Sequence, residues 1–223
     1  NIGFLYLPRI SERFKDDFIN KGQSHILQYN YQDRLIINMG YSYHYNSIGG
    51  AIINNTIASN SYSIRFNFES AGNIMYALSK ATNIRKNNDG EYAILGIPYA
   101  QYVKGEFDFS KNIRIDHRNS FAFHIGMGIA VPYGNAKTIP FEKQYFSGGA
   151  NSVRGWTVRD LGPGSFVRDE NTNLLDQSGD IKLDASIEYR SKLFWKFQGA
   201  IFVDAGNIWT IRDYDNQPGG VFK

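Results

Sequence analysis

Large apolar residues alternate with small or polar ones along this chain, over runs longer than the strands of soluble sheets, and this pattern limits the possible folds more than any other feature. Phe121, Phe123, Ile125, Met127, Ile129 and Val131 alternate with Ala122, His124, Gly126, Gly128 and Ala130. Leu35, Ile37, Met39, Tyr41, Tyr43 and Tyr45 do so with Ile36, Asn38, Gly40, Ser42, His44 and Asn46. Ile181, Leu183, Ala185, Ile187 and Tyr189 interleave with Asp180, Lys182, Asp184, Ser186, Glu188 and Arg190. A period of two places one set on each face of a strand, so each strand has an apolar face and a polar or small one. Further strands are predicted at about Ser24–Tyr31, Ser61–Glu69, Asn73–Ser79, Tyr99–Phe109 and Lys196–Asp204, with a single helical turn near Ser11–Ile19. Strands of soluble sheets most often run to about 5–6 residues, whereas a tilted membrane-crossing strand needs about 9–11, and the runs here match the longer class.

The connections are expected to alternate in length. Gln32-Asp33-Arg34, Ser70–Gly72, His117–Ser120 and Ser191–Leu193 read as short turns; Asn46–Asn60, Lys80–Pro98, Pro132–Leu175 and the stretch from Asn207 onward read as long polar loops. Short turns at one end and long loops at the other are the habit of outer-membrane barrels. Aromatics near strand ends (Tyr43, Tyr45, Tyr133, Phe194, Trp195, Trp209) suit interfacial girdles. Composition agrees: 15% of residues are aromatic and 22 are Gly, yet mean hydropathy is −0.39. No apolar run approaches the ~18 residues of a spanning helix. There is no cysteine, which excludes disulfides, thiolate metal sites and cysteine nucleophiles. A net charge of +3 without a clustered basic face gives no reason to expect nucleic acid. The chain opens on Asn1 with no apolar leader, so any signal peptide is expected to have been removed or to lie outside this stretch. The fold class predicted is all-β, an antiparallel transmembrane β-barrel of which this chain supplies about eight or nine strands. A soluble β-sandwich would share the alternation, with the apolar face as its core.

Conventional catalytic and metal motifs are missing. His25, His44, His117 and His124 have no paired metal-ligand spacing, and His44 and His124 fall on polar strand faces. Gly148-Gly149…Gly155 lacks the Gly-Lys-Ser/Thr end of a phosphate loop, and Ser152 sits in no G-x-S-x-G elbow. Asp169-Glu170-Asn171-Thr172-Asn173-Leu174 half-resembles a calcium loop, but Leu174 stands where Gly is needed. Asp184 and Glu188 share a face about 13–14 Å apart, too far for an acid–base pair. The expectation is a protein that is not an enzyme and needs no cofactor.

One loop carries information. Tyr145-Phe146-Ser147-Gly148-Gly149-Ala150-Asn151-Ser152-Val153-Arg154-Gly155-Trp156 and then Leu161-Gly162-Pro163-Gly164 lie between two of the best strands, and Phe202-Val203-Asp204-Ala205-Gly206 follows at the end of the next. A guanidinium suits a bidentate, partly desolvated carboxylate contact as Lys does not, and the glycines Gly148, Gly149 and Gly155 permit tight folding and close approach to a wall. These two motifs in order resemble the BamA/TamA superfamily of outer-membrane assembly barrels, best from about Gln144 to Trp209. The resemblance implies that the loop, at 132–179, is extracellular and folds back into the barrel lumen. It also implies that Arg154 pairs with Asp204, with Glu188 as second partner, and that Gly148, Gly149, Val153, Gly155 and Trp156 form the loop motif while Phe202 and Gly206 mark the strand end. Trp156 stands where the family more often has Phe or Tyr. Losing one partner of such a latch costs about 3–5 kcal/mol where it is fully buried.

The resemblance further implies that residues 1–223 are an internal part of one barrel domain, with N-terminal periplasmic domains and the final strands outside this sequence. The implied function is non-enzymatic assistance of outer-membrane protein insertion or translocation in the bacterial outer membrane. Its implied partners are unfolded outer-membrane protein clients, the lipid bilayer and accessory periplasmic or lipoprotein subunits. A passive or substrate-specific porin would share the periodicity without needing the Val-Arg-Gly loop, and a soluble β-rich carbohydrate-binding domain would account for exposed aromatics and carboxylates.

Overall fold

A computed structural model of the chain describes residues 2–5, 34–47, 60–87, 90–167, 177–214 and 217–223. The principal strands are β1 (Ile2–Leu5), β2 (Arg34–Asn46), β3 (Asn60–Ala71), β6 (Tyr102–Arg114), β7 (Asn119–Pro132), β8 (Ile181–Lys192) and β9 (Gln198–Trp209). They form one sheet in the order β1-β2-β3-β6-β7-β8-β9, with every neighbouring pair antiparallel. A two-residue ribbon of β4 (Ala93–Ile94) and β5 (Ile97–Pro98) lies in the β3–β6 connection, together with helix α1 (Asn73–Ala81). Strands of 12–14 residues (β2, β3, β6 to β9) run about 40–46 Å, which at a 45° tilt spans about 28–33 Å, the thickness of a bilayer's hydrocarbon. Among the described residues the edges β1 and β9 are not paired with each other, so the sheet is a section of barrel wall.

Register turns the sequence alternation into two surfaces. On one face Tyr43, Phe66, Phe107, Met127 and Leu183 stand side by side, strand to strand. The next row holds Tyr45, Ile64, Phe109, Ile125, Ala185 and Ala205. Among the described residues this face covers no core: Met127 is 46% exposed in the first row and Val203 71% on the same face of β9, values that suit a lipid-facing surface. The opposite face is polar, with rows Arg65–Asp108–Gly126–Asp184–Gly206 and Asn67–Glu106–Gly128–Lys182. A ladder of charged and polar groups crosses it: Arg65 lies 3.3 Å from Asp108, His124 is 3.5 Å from both Asp108 and Asp184, and Lys182 is 3.3 Å from Asp184. Fully buried groups cluster instead at the strand ends, around Tyr99, Ala100, Tyr102, Ile139 and Ile208.

Several expectations are corrected. The stretch predicted as a strand over Asn73–Ser79 is helix α1. The alternation of Ile74, Tyr76 and Leu78 imitates a strand, but Met75, Ala77, Leu78, Lys80 and Ala81 are strong helix formers, and Gly72 at φ 76 turns the chain out of β3. Ser70–Gly72 is therefore no short turn. It opens a connection at 72–101 on the same end of the sheet as 133–180, while 47–59 joins β2 to β3 at the end that carries the tight turns 115–118 and 193–197. The sixth strand begins at Tyr102 rather than Tyr99, because Tyr99 makes only an isolated parallel bridge to Leu35. The last strand continues to Trp209, so Phe202–Gly206 lies within it and not at its end. The expected strand Ser24–Tyr31, the helical turn Ser11–Ile19 and the acidic segment Asp169–Leu174 lie outside the described residues.

Candidate functional site

The connection between β7 and β8 lies against the polar face of the sheet, and its seat begins with a gap in β7. A side chain at Gly128 would come within 2.6 Å of the Tyr145 ring, so the tyrosine fits only because that rung of the strand has none. Tyr145 donates its hydroxyl to the Gly105 carbonyl at 3.2 Å, and the Lys104 ammonium sits 4.3 Å from its ring centre. Burial raises the Tyr145 phenol well above its usual range, which keeps it a neutral donor. Backbone bonds between Tyr145 and Gly179 in both directions, at 2.8 and 2.9 Å, close the base of the loop. Lys143 reaches back to Glu69 at 2.7 Å.

Beyond this base the loop doubles on itself. Gly149 N donates to Trp156 O at 2.8 Å and Arg159 N to Ser147 O at 3.0 Å. The turn needs the paired glycines: both have positive φ, and side chains there would collide with Thr157 O and with Val158. Of the two roles expected, tight folding and close approach to the wall, Gly148 and Gly149 serve the first, fitting the loop against its own returning limb. Gly155 is a correction, since a side chain there would meet nothing within 4 Å. Val153 is buried, and Trp156 is about half exposed.

The tip presents Arg154 to β8 and β9. Arg154 Nε donates to Asp204 Oδ2 and Nη2 to Asp204 Oδ1, both at 2.7 Å, and its backbone N–H donates to Oδ2 at 3.0 Å. Nη1 donates to Glu188 Oε2 at 2.5 Å, while Arg190 Nε holds the other Glu188 oxygen at 2.6 Å. The guanidinium also lies 3.6 Å from the Phe202 ring centre. The structure therefore brings Arg154, Asp204, Glu188 and Phe202 together. Phe202 entered the sequence analysis only as a motif residue, yet its even number puts it on the polar face with Asp204, which parity alone could have shown. Gly206 matters differently: a side chain would press on Asp184 Cβ and Leu183 O at 2.9 Å. The Gly-Pro-Gly segment is fixed to the end of β9, with Gly164 N donating to Ile208 O at 2.7 Å and Asn207 Nδ2 to Gly164 O at 2.9 Å.

Two further anchors escaped the sequence analysis. Asn135 is 4% exposed and joins the two connections at this end: its Nδ2 donates to Tyr92 O and Tyr99 O at 3.0 Å, its Oδ1 accepts from Tyr92 N, and its own N–H donates to Gln101 Oε1. Asp180, just before β8, is 2% exposed and accepts from Ile211 N at 3.1 Å; burial pushes its carboxyl up to about 6. Buried Arg34 and Glu91 pair at 3.3 Å, joining β2 to the helix-bearing connection. Among the described residues no group of three or more His, Asp or Glu side chains is arranged to hold a metal ion.

A wall of long antiparallel strands, apolar outside and charged inside, with a loop clasped to its inner face, defines a section of an outer-membrane β-barrel with an inward-folded loop. The sequence profile of the Omp85 superfamily domain matches residues 22–222, and the chain belongs to that family. It is therefore a part of a bacterial outer-membrane protein. Among its relatives is the outer membrane protein assembly factor BamA of Neisseria meningitidis serogroup B (strain ATCC BAA-335 / MC58), 35% identical over 99 residues, covering 40% of this chain and 12% of that protein. Among solved structures, BamA from Haemophilus ducreyi lacking POTRA domains 1–3 matches with a TM-score of 0.40 and 17% identity, over 80% of this chain and 43% of that one. The chain thus spans about an eighth of the Neisseria relative.

Proposed function

We propose that this chain is the central wall and lumenal loop of a factor that inserts or translocates other proteins at the outer membrane, and that Arg154, Asp204 and Glu188 latch the loop in the lumen. The carrying observation is the grip of Arg154 on two neighbouring strands, which fixes the tip of the loop to the wall. Membership of the Omp85 superfamily and the assembly role in the printed name of the Neisseria relative support the reading. In it the chain does no covalent chemistry. Its clients are unfolded outer-membrane proteins, with the lipid bilayer and accessory periplasmic or lipoprotein subunits as working partners, and the loop stands on the cell-surface side.

The test is complementation by the full-length protein carrying Arg154→Ala. Folded outer-membrane proteins should fall in amount while the variant itself still reaches the membrane, and the loop at 145–160 should become protease-sensitive. Normal client levels together with an unchanged loop would sink the latch. A defined solute conductance with normal client levels would point to a porin instead.

A further inference from the structure

We propose that α1 is an interfacial helix whose apolar stripe lies in the lipid of the membrane leaflet at the long-loop end of the barrel. Ile74, Ala77, Leu78 and Ala81, spaced i, i+3, i+4 and i+7, form one face of the helix, and all four are exposed. The opposite face is used inside the protein: Ser79 is buried and receives the Tyr99 hydroxyl at 3.4 Å, and Tyr76 meets Tyr92 edge to face at 5.8 Å. Among the described residues the helix is packed by one side only, with Ile74 51% and Leu78 50% exposed on the other.

Position and charge identify what covers it. Asn73, the first helical residue, donates to Ser70 Oγ at 2.8 Å and accepts from the Tyr133 hydroxyl at 2.7 Å. Ser70 continues the Phe66–Phe68 row, and Tyr133 continues the Ile129–Val131 row, so both belong to the lipid-facing side of the wall. The stripe therefore begins at the rim of a surface already bathed in acyl chains. No Asp or Glu occurs between 73 and 87, whereas Lys80, Arg85 and Lys86 do, all of them exposed. Lys80 sits 4.9 Å from the Tyr76 ring centre and Lys86 5.1 Å from that of Tyr92. Apolar side chains beside tyrosines and exposed cations suit the boundary between acyl chains and phosphates. The inference goes beyond the proposed function: a porin or an assembly factor would seat this helix equally.

The experiment uses spin labels on the full-length protein in a cysteine-free background, reconstituted in phosphatidylethanolamine/phosphatidylglycerol vesicles. Single cysteines replace Ile74 or Leu78, with Ile129→Cys on the lipid-facing wall and Glu142→Cys on the β7–β8 connection as references. The ratio of collision with oxygen to collision with a water-soluble nickel chelate should be several-fold higher at 74 and 78 than at 142, and close to that at 129. A ratio at 74 and 78 equal to that at 142 overturns the proposal. So does water exposure in vesicles combined with protection in whole cells, which would assign the stripe to a protein partner.

Discussion

Replacing Arg154 by Ala removes three side-chain hydrogen bonds to carboxylates and one cation–π contact in a single step. Among the described residues Asp204 would then keep only the backbone N–H of residue 154, with its side chain 3% exposed. Breaking a fully buried pair costs about 3–5 kcal/mol, but Arg154 is 26% exposed, and water entering from that side would rehydrate the carboxylate. The expected loss is about 3 kcal/mol, or roughly a hundredfold rise in the open population of the loop. Arg154→Lys keeps the charge, but one ammonium cannot reproduce a fork that meets Asp204 twice and Glu188 once, so about 1–2 kcal/mol is lost. Hydrogen exchange of 145–160 in the bilayer-embedded full-length protein reads the opening directly. A double-mutant cycle with Asp204→Asn should return most of the loss as coupling. Protection unchanged within about threefold, or a coupling near zero, would show that the loop is held by Tyr145 and its neighbours and that the latch reasoning is wrong.

Other outcomes follow from the same geometry. Gly128→Ala should destabilise the barrel by about 1–3 kcal/mol through overpacking against Tyr145, and the loss should shrink when Tyr145→Ala is also present, as thermal unfolding would show. Asn135→Ala strands the polar backbone groups of Tyr92 and Tyr99, so about 3 kcal/mol of protection should disappear from amides 91–101 in hydrogen exchange. Asp180 has its folded-state carboxyl raised from 3.8 to about 6, chiefly by burial and against the Ile211 N–H and the Arg212 charge. Its stabilising contribution is thus complete below pH 3.8 and is lost as pH rises through 6, by about 3 kcal/mol in all. Trypsin resistance of the 177–214 region should therefore be greater at pH 5 than at pH 8, with the difference abolished by Asp180→Asn. On the outer face, Val203→Arg should cost about 2–4 kcal/mol and impair insertion into vesicles, whereas a solvent-facing position would tolerate it.

What the sequence revealed depended on how local its causes were. Strand faces follow from a period of two, so Phe121 to Val131 and Ile181 to Tyr189 were assigned correctly with no knowledge of their neighbours. The meeting of Arg154 with Asp204 and Glu188, 50 and 34 residues away, was not written in any local pattern and came only through the family motif. Over α1 the sequence misleads because Ile74, Tyr76 and Leu78 satisfy the period of two while Ile74 and Leu78 also satisfy the helical one, and the decision falls to Gly72, whose position allows no side chain against Ala100 O. Gly128 was visible as the small member of an alternating pair, but its purpose required Tyr145 from another segment. Asn135 gave no signal at all, since a buried asparagine that joins two loops looks like any loop asparagine until both loops are folded.

The way Arg154 holds the wall has a mechanical consequence. Glu188 and Phe202 face each other on one rung of the β8–β9 ladder, and Asp204 stands two residues farther along β9. A pull on the loop is thus shared by two strands that are themselves bonded from Ile181 and Trp209 at one end to Lys192 and Gln198 at the other. A tether fastened to one strand would peel the ladder bond by bond. One that straddles a rung spreads its load over the hairpin. The joint therefore loads the β8–β9 hairpin as a unit rather than either strand alone.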